Sequence, residues 1–489
     1  MADMEFARTF KNPSDGWIEC AIGKLEDIKF GGINDMTIKE EILKTVKREN
    51  VSLIRFLYVG NDGIIRGKTT HAKYLGSVID SGIGLTKAMQ SFNMLEQLVP
   101  EGSFGPIGEI RLIPDLDTFT ILPYAEGNAR MMVDMQTLDK KPWDMCPRNF
   151  LKKMINKSEE NGFKILASFE NEFYLIKKEN GKFIPYDNSL CFSSIGMDSA
   201  NKIILEIINA LNKSGMNVEK YFPELGPGQQ EIVIRCEDAL KAADNQVAFR
   251  ETVRGVALNN RVFASFAPKP FLDQAGNGCH IHISLWDKNR DKNVFYDPKD
   301  NQKDQYNLSE TAYNFIGGIL KHIRGLVGIT APSVNSYRRL QPNMWSSAFS
   351  CYGPDNREAA VRIPSNFWNQ EEGTTNLELK FADPSCNPYL TLGAIIAAGL
   401  DGIENKIECG EPVDVDPAKL DEEERIRLGI DRYPTNLEDA LSELEKDKIL
   451  EQALGSTLHK EYITVRRSEW RGFSGKDPEW EIERHIYVY

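Results

Sequence analysis

Gly276-Asn277-Gly278-Cys279-His280-Ile281-His282-Ile283-Ser284-Leu285-Trp286 changes its rhythm at Cys279. From there Cys279, Ile281, Ile283 and Leu285 share one side, and His280, His282 and Ser284 the other. Period two predicts a strand with one apolar and one polar face. Gly276 and Gly278 ahead of it let the backbone approach a neighbour closely. Two of the six histidines in the chain face the same way. Imidazole binds metals and hydrogen-bonds phosphate, so the polar face is a candidate reaction site. Alone, the pair fits an ordinary half-buried strand better than a reaction site. Its weight comes from other strands of the same design.

Ala167 to Tyr174 alternates too. Glu170 and Glu172 share a face, roughly 6.5–7 Å apart along the strand, while Phe169, Phe173 and Leu175 fill the other. Downstream, the rigid turn Gly226-Pro227-Gly228 brings Glu224 close to a strand that starts at Glu231. In Leu377-Glu378-Leu379-Lys380-Phe381, Glu378 and Lys380 pair at the same spacing. If these polar faces line one cavity, five carboxylates meet around an imidazole. That charge cannot be packed without compensation. Oxygen-rich ligands favour Mg2+ or Mn2+ over zinc, and this much charge calls for more than one ion. Arg338-Arg339 and Arg357 to Arg362 supply guanidinium forks suited to carboxylate and phosphate oxygens. Acids for metals with arginines for oxyanions suit phosphoryl transfer, which runs on positioning and charge neutralisation. No Gly-x-x-x-x-Gly-Lys-Ser/Thr motif is present.

The 489 residues suffice for two or three domains, and 41% apolar with 27% charged residues is ordinary for a globular chain. A net charge of −13 argues against nucleic-acid partners and polybasic membrane association. The polar start shows no apolar signal core, and the longest apolar stretch, Tyr389 to Leu400, is too short to span a bilayer. Eight scattered cysteines without a Cys-x-x-Cys pair read as reduced thiols in a cytoplasmic protein. Residues 1–35 read as an extension. A small sheet of hairpins with one helix, capped by Thr37, follows over 36–140. Pro142 to Pro147 reads as a linker, and residues 141–489 form the larger domain of alternating strands and helices. In that domain Glu237 to Asn259 reads as an amphipathic helix, and Leu437 to Trp470 as helical throughout.

With these motifs in hand, the chain resembles the glutamine synthetase family from about Thr37 onward. The likeness rests on Ile113 to Phe119, Phe169 to Phe173, Glu224 to Glu231, Gly276 to Leu285, Arg339-Leu340-Gln341-Pro342, Asn356 to Pro364 and Glu378 to Tyr389, in that order. The resemblance implies an α+β fold, with an N-terminal β-grasp domain and a catalytic domain holding a funnel of antiparallel strands. It also implies a ring-shaped homo-oligomer, a dodecamer of two hexamers, with sites shared between subunits. Glu172, Glu224 and Glu231 match ligands of a first metal, and Glu170, His280 and Glu378 those of a second. Glu219, His282, Ser284 and Arg362 match ATP-holding positions, with Arg357 at the transferred phosphate. Arg339 and Gly276, with Glu172 and Lys380, match the glutamate side. The implied chemistry is ATP-dependent phosphorylation of a side-chain carboxylate, followed by attack of an amine.

Departures from the family pattern bear on the amine. Ammonia-using members carry an Asp-Gly-Ser-Ser run where this chain has Thr86-Lys87-Ala88-Met89, and a Glu where it has Trp345. Both anions of the ammonium site are replaced, and an indole offers an apolar wall. The resemblance therefore points to the γ-glutamyl-amide ligases of the family, of the γ-glutamylanilide synthase type. Their nucleophile would be an organic, aniline-like amine. An ammonia-using enzyme, a polyamine or alkylamine ligase, and a non-catalytic structural relative stand as alternatives. Ala275 and Lys380 also replace an Asn and an Arg, and Lys keeps the charge without the fork.

Overall fold

The computed structural model describes residues 35–298 and 306–489. Apart from Asp35, the extension read over residues 1–35 lies outside the described residues. The first helix, Asp35–Arg48, begins two residues before Thr37, which sits inside its first turn and is not its cap. Its stripe buries Ile42 and Val46 against a sheet of β1 Leu53–Val59, β2 Ile65–His71, β3 Ile83–Thr86, β4 Glu109–Pro114, β5 Thr120–Ile121 and β6 Asn128–Gln136. The order is β2-β1-β6-β4-β3, with β5 on β6. The central β1–β6 pair is parallel and its neighbours are antiparallel, as the β-grasp expectation requires. Gly63, in the β1–β2 turn, has φ +73°, and a Cβ there would lie 2.3 Å from the carbonyl of Ser385. Only glycine lets this turn meet the second domain so closely.

Pro142 to Pro147 is no free linker. Trp143, Met145 and Cys146 are buried, and the Trp143 amide donates to the Met135 carbonyl at 2.9 Å. An indole and a thioether in one short segment have too much apolar surface to remain in water.

The second sheet holds ten strands: β7 Phe163–Glu179, β8 Lys182–Pro185, β9 Val218–Pro223, β10 Gln229–Ile234, β11 Glu237–Asp238, β12 Phe263–Ser265, β13 Cys279–Asp287, β14 Phe349–Pro354, β15 Ala359–Ile363 and β16 Leu377–Leu379. Its order is β14-β15-β16-β13-β7-β10-β9, with β8, β11 and β12 also on β7. Pairing is antiparallel except between β14 and β15. Seventeen-residue β7 is the spine on which the rest of the site is assembled.

Helix Ala239–Asn259 covers the apolar face of β7. It is buried on most sides, polar residues included, so the amphipathic reading fails. Asp244, Gln246 and Arg250 are each paired instead. The Arg148 guanidinium reaches Asp244 at 2.8 and 2.9 Å, and Arg250 donates to the carbonyls of Gly63, Pro384 and Cys386. Helices Glu310–Thr330 and Pro388–Asn405 cross outside it, with Gly318 pressed on the Ala398 carbonyl. The Leu437 to Trp470 stretch is three helices, Leu437–Lys446, Lys448–Leu454 and Ser456–Phe473. Asp447 breaks the first join by accepting the amides of Ile449 and Leu450, and Gly455 at φ +82° breaks the second. Six described cysteines are free thiols.

Candidate active site

Strand register assembles the polar face. In an antiparallel pair, residues directly opposite point to the same side of the sheet. Glu231 on β10 is opposite Glu172 on β7. Glu170 on β7 is opposite His280 on β13. His282 on β13 is opposite Glu378 on β16, and Arg362 on β15 is opposite Glu378. Five neighbouring strands thus present acids, imidazoles and a guanidinium to one side, because each alternates with period two. Asn171, between the two β7 acids, turns the other way. It is fully buried and exchanges amide hydrogen bonds with Gln246.

These side chains line one cavity of about 350 Å3. It contains Glu170, Glu172, Glu224, Glu231, Glu378, His280, Lys380, Arg339, Arg357, Arg362, Gly276 and Trp345. His280 Nδ1 lies 3.3 Å from Glu170 Oε2 and 3.4 Å from Glu378 Oε1. Lys380 Nζ stands 3.3 Å from both His280 Nε2 and Glu378 Oε1. Arg362 donates to Glu378 Oε2 at 2.7 Å. Glu172 Oε2 accepts the Gly278 amide at 2.8 Å and Gln229 Nε2 at 3.1 Å. The Gly-x-Gly approach is needed here, since a Cβ on Gly278 would come within 2.7 Å of His280 Nε2.

The acids divide electrostatically. Burial raises the Glu378 carboxyl, but Lys380, His280 and His282 outweigh it and bring it down to about 2. Burial likewise opposes Glu170, yet its bonds to His280 and His282 hold it well below the carboxylate range. On the other flank, burial and the Glu172 charge push Glu224 up to about 7. Burial, then Glu170, Glu172 and Glu224, drive Glu231 well above its ordinary value. Around Glu224 and Glu231 carboxylate charge and burial thus outweigh any cation, and an all-oxygen donor set of this kind fits a hard divalent cation. Beside it, Glu170, His282 and Glu378 offer ligand atoms within 4.8 Å of one another.

His282 and Ser284 line a neighbouring pocket of about 20 Å3 with Ser168, Thr374, Thr375 and Asn376. His282 bridges the two spaces, with Nδ1 2.8 Å from Asn376 Oδ1 and Nε2 3.6 Å from Glu170 Oε2. Arg339 is buried, its Nη atoms donating to the carbonyls of Ala382 and Lys380. Arg357 is exposed at the mouth. Glu219, half-buried on β9, does not line the cavity. Neither does Thr86, which is exposed and caps the turn after β3 by accepting the Ala88 amide. Asp80 pairs with Lys39 at 2.5 Å on the first domain.

Sequence reasoning passed over Gln229, whose amide also ties the carbonyl of Gly276 and Asn277 Oδ1. Its place directly after the quoted Gly-Pro-Gly turn, at the start of β10, was the available signal. It also missed Cys191, Phe192, Phe222, Leu225, Lys269 and Met344. They come from loops and strand ends, where no periodicity marks a face.

A carboxylate-walled funnel beside guanidiniums defines a metal-dependent enzyme of phosphoryl or acyl transfer. The sequence matches the N-terminal domain of glutamine synthetase over residues 39–143 and its catalytic domain over residues 144–485. The chain belongs to the glutamine synthetase family. It is 34% identical to the glutamine synthetase of Methanocaldococcus jannaschii, across 91% of this chain and 98% of that one. It is 34% identical to that of Thermotoga maritima, across 93% and 100%. Among solved structures it resembles a novel glutamine synthase homolog, with a TM-score of 0.80 and 28% identity over 90% of this chain and 99% of that one. It also resembles the GmaS/ADP complex, a γ-glutamylmethylamide synthetase, with a TM-score of 0.78 and 28% identity over 90% and 98%. The protein is thus an ATP-dependent, amide-forming ligase that uses divalent metal. No helix among the described residues is long and apolar enough to cross a membrane.

Proposed function

We propose that the enzyme joins the side-chain carboxylate of glutamate to an organic amine, with aniline-like amines the first class to test. Trp345 carries this reading. Its indole lies at the cavity mouth, 66% exposed, where ammonia-using members place an acid. A wall without an anion does not concentrate ammonium, whereas an indole favours an apolar neutral amine. The resemblance to GmaS supports an amine larger than ammonia.

Glu172, Glu224 and Glu231 would hold one divalent cation, and Glu170, His280 and Glu378 a second. Bound there, Mg2+ or Mn2+ supplies charge neutralisation to the acids and to the phosphates. Glu219, His282, Ser284 and Arg362 orient ATP, and Arg357 meets the transferred phosphate. Arg339, Gly276 and Lys380 hold glutamate. A γ-carboxylate oxygen bonds to the terminal phosphorus of ATP as ADP leaves. The amine nitrogen then attacks the acyl carbon, phosphate departs, and the nitrogen gives up one proton as the amide forms. An aniline-type nitrogen is neutral near pH 7 and needs no strong base.

The assembly is a ring-shaped homo-oligomer, a dodecamer of two hexamers, located in the cytoplasm. Exposure of Thr86 at the end of β3 suits a residue that completes the amine pocket of a neighbouring subunit. The names of the M. jannaschii and T. maritima relatives favour a second reading, with ammonia as nucleophile. Phosphate release measured with ATP, Mg2+ and glutamate across a panel of amines separates the two. An organic amine must outperform ammonium, and preference for ammonium overturns the first reading.

A further inference from the structure

Two bulky residues at the cavity mouth, Phe192 and Trp345, both hold φ at +56°. Side chains of this size rarely adopt left-handed backbone, and such strain persists where surrounding contacts enforce it. The contacts are present. The Phe192 amide donates to the Pro223 carbonyl at 3.0 Å, tying its loop to the end of β9. Its ring meets Phe222 edge-on, with centroids 5.3 Å apart at 88°. Opposite, Glu358 accepts the Trp345 amide at 2.7 Å. Both residues stay exposed, as do Leu225 and Met344. All five side chains, with Cys191, line the same cavity as the carboxylates.

We propose that this rim is a subsite for the apolar substituent of the amine, an aryl or branched alkyl group. Phe192, Phe222 and Leu225 form one wall, and Met344 with Trp345 the other. The hydrocarbon lies between them, with the amine nitrogen directed inward to the carboxylates. Continuity with the acidic cavity assigns the rim to substrate: an apolar group sealing the mouth also excludes water from the acyl phosphate beneath it. This rests on the organic-amine reading above and extends it to substituent selection.

The test compares kcat/KM for an arylamine and for methylamine in the wild-type enzyme, Phe192→Ser, Leu225→Ser and Phe192→Leu, with assembly followed by sedimentation. Loss of one wall is expected to lower the aryl-to-methyl ratio by about tenfold or more. The change should appear in KM for the arylamine, while KM for ATP and glutamate and the sedimentation coefficient hold. Phe192→Leu should recover most of the ratio. A wild-type enzyme that uses organic amines, with variants whose ratio stays within about twofold, overturns the subsite alone. So does a change in assembly with the ratio unmoved, which assigns the rim to a contact between copies. A wild-type enzyme that uses only ammonium overturns the organic-amine reading itself, and the subsite with it.

Discussion

Asn171 and Gln246 exchange two side-chain hydrogen bonds, each 2.6 Å long, beneath the acidic face of β7. The exchange fixes which way β7 faces: Asn171 down into the helix, Glu170 and Glu172 up into the cavity. Both amides are buried, so neither can trade its partner for water. Gln246→Leu leaves the Asn171 amide only its weaker bonds to the Phe169 carbonyl and the Cys279 thiol, and should cost about 1–3 kcal/mol of stability. Chemical denaturation measures the loss. Activity should fall alongside, because the carboxylates lose their anchor.

Glu231 is buried and faces three other carboxylates, and burial, then the charges of Glu170, Glu172 and Glu224, raise its carboxyl well above the ordinary value. Glu231→Gln removes the repulsion and the ligand together. The metal-free variant should melt higher than the wild type, yet gain less from Mn2+. Thermal melts with and without Mn2+ check both halves, and an unchanged Mn2+ gain would remove Glu231 from the metal site.

Glu224 moves from an ordinary 4.5 to about 7 on folding. An acid raised in this way keeps its proton in the folded chain after the unfolded chain has lost it. Metal-free stability should therefore fall as pH rises between 4.5 and 7. A divalent ion takes the place of those protons, so its stabilising effect should grow across the same window. Melting temperatures with and without Mg2+ at pH 5.5 and pH 8, roughly either side of that window, test the sign.

Trp345→Glu returns an anion to the mouth. Even at the effective dielectric of a protein surface, such a charge near an ammonium is worth enough to raise kcat/KM for ammonium by about tenfold. The same change should lower arylamine use. Steady-state phosphate release with each amine reads both.

Much of the site was legible because alternation is local. Glu170/Glu172, His280/His282 and Glu378/Lys380 each reveal a face within a few residues, and strand register converts shared faces into one wall. The family likeness added the order in which those faces occur. What escaped depends on long-range contact. The helix over Ala239–Asn259 looked amphipathic because Asp244 and Arg250 are charged, and only their distant partners Arg148, Pro384 and Gly63 make burial tolerable. The aromatic rim joins Phe192, Phe222 and Trp345 from three separate loops or strand ends, with no period to betray them. Asp447 and Gly455 were readable as breakers within Leu437 to Trp470, and their capping chemistry outweighed the apolar repeat.

Product analysis by mass spectrometry of one reaction, holding ATP, Mg2+, glutamate and equal concentrations of ammonium and an aniline-class amine, tests the central claim most directly. Predominant γ-glutamyl arylamide, formed one for one with ADP, is the predicted result. Predominant glutamine would contradict it.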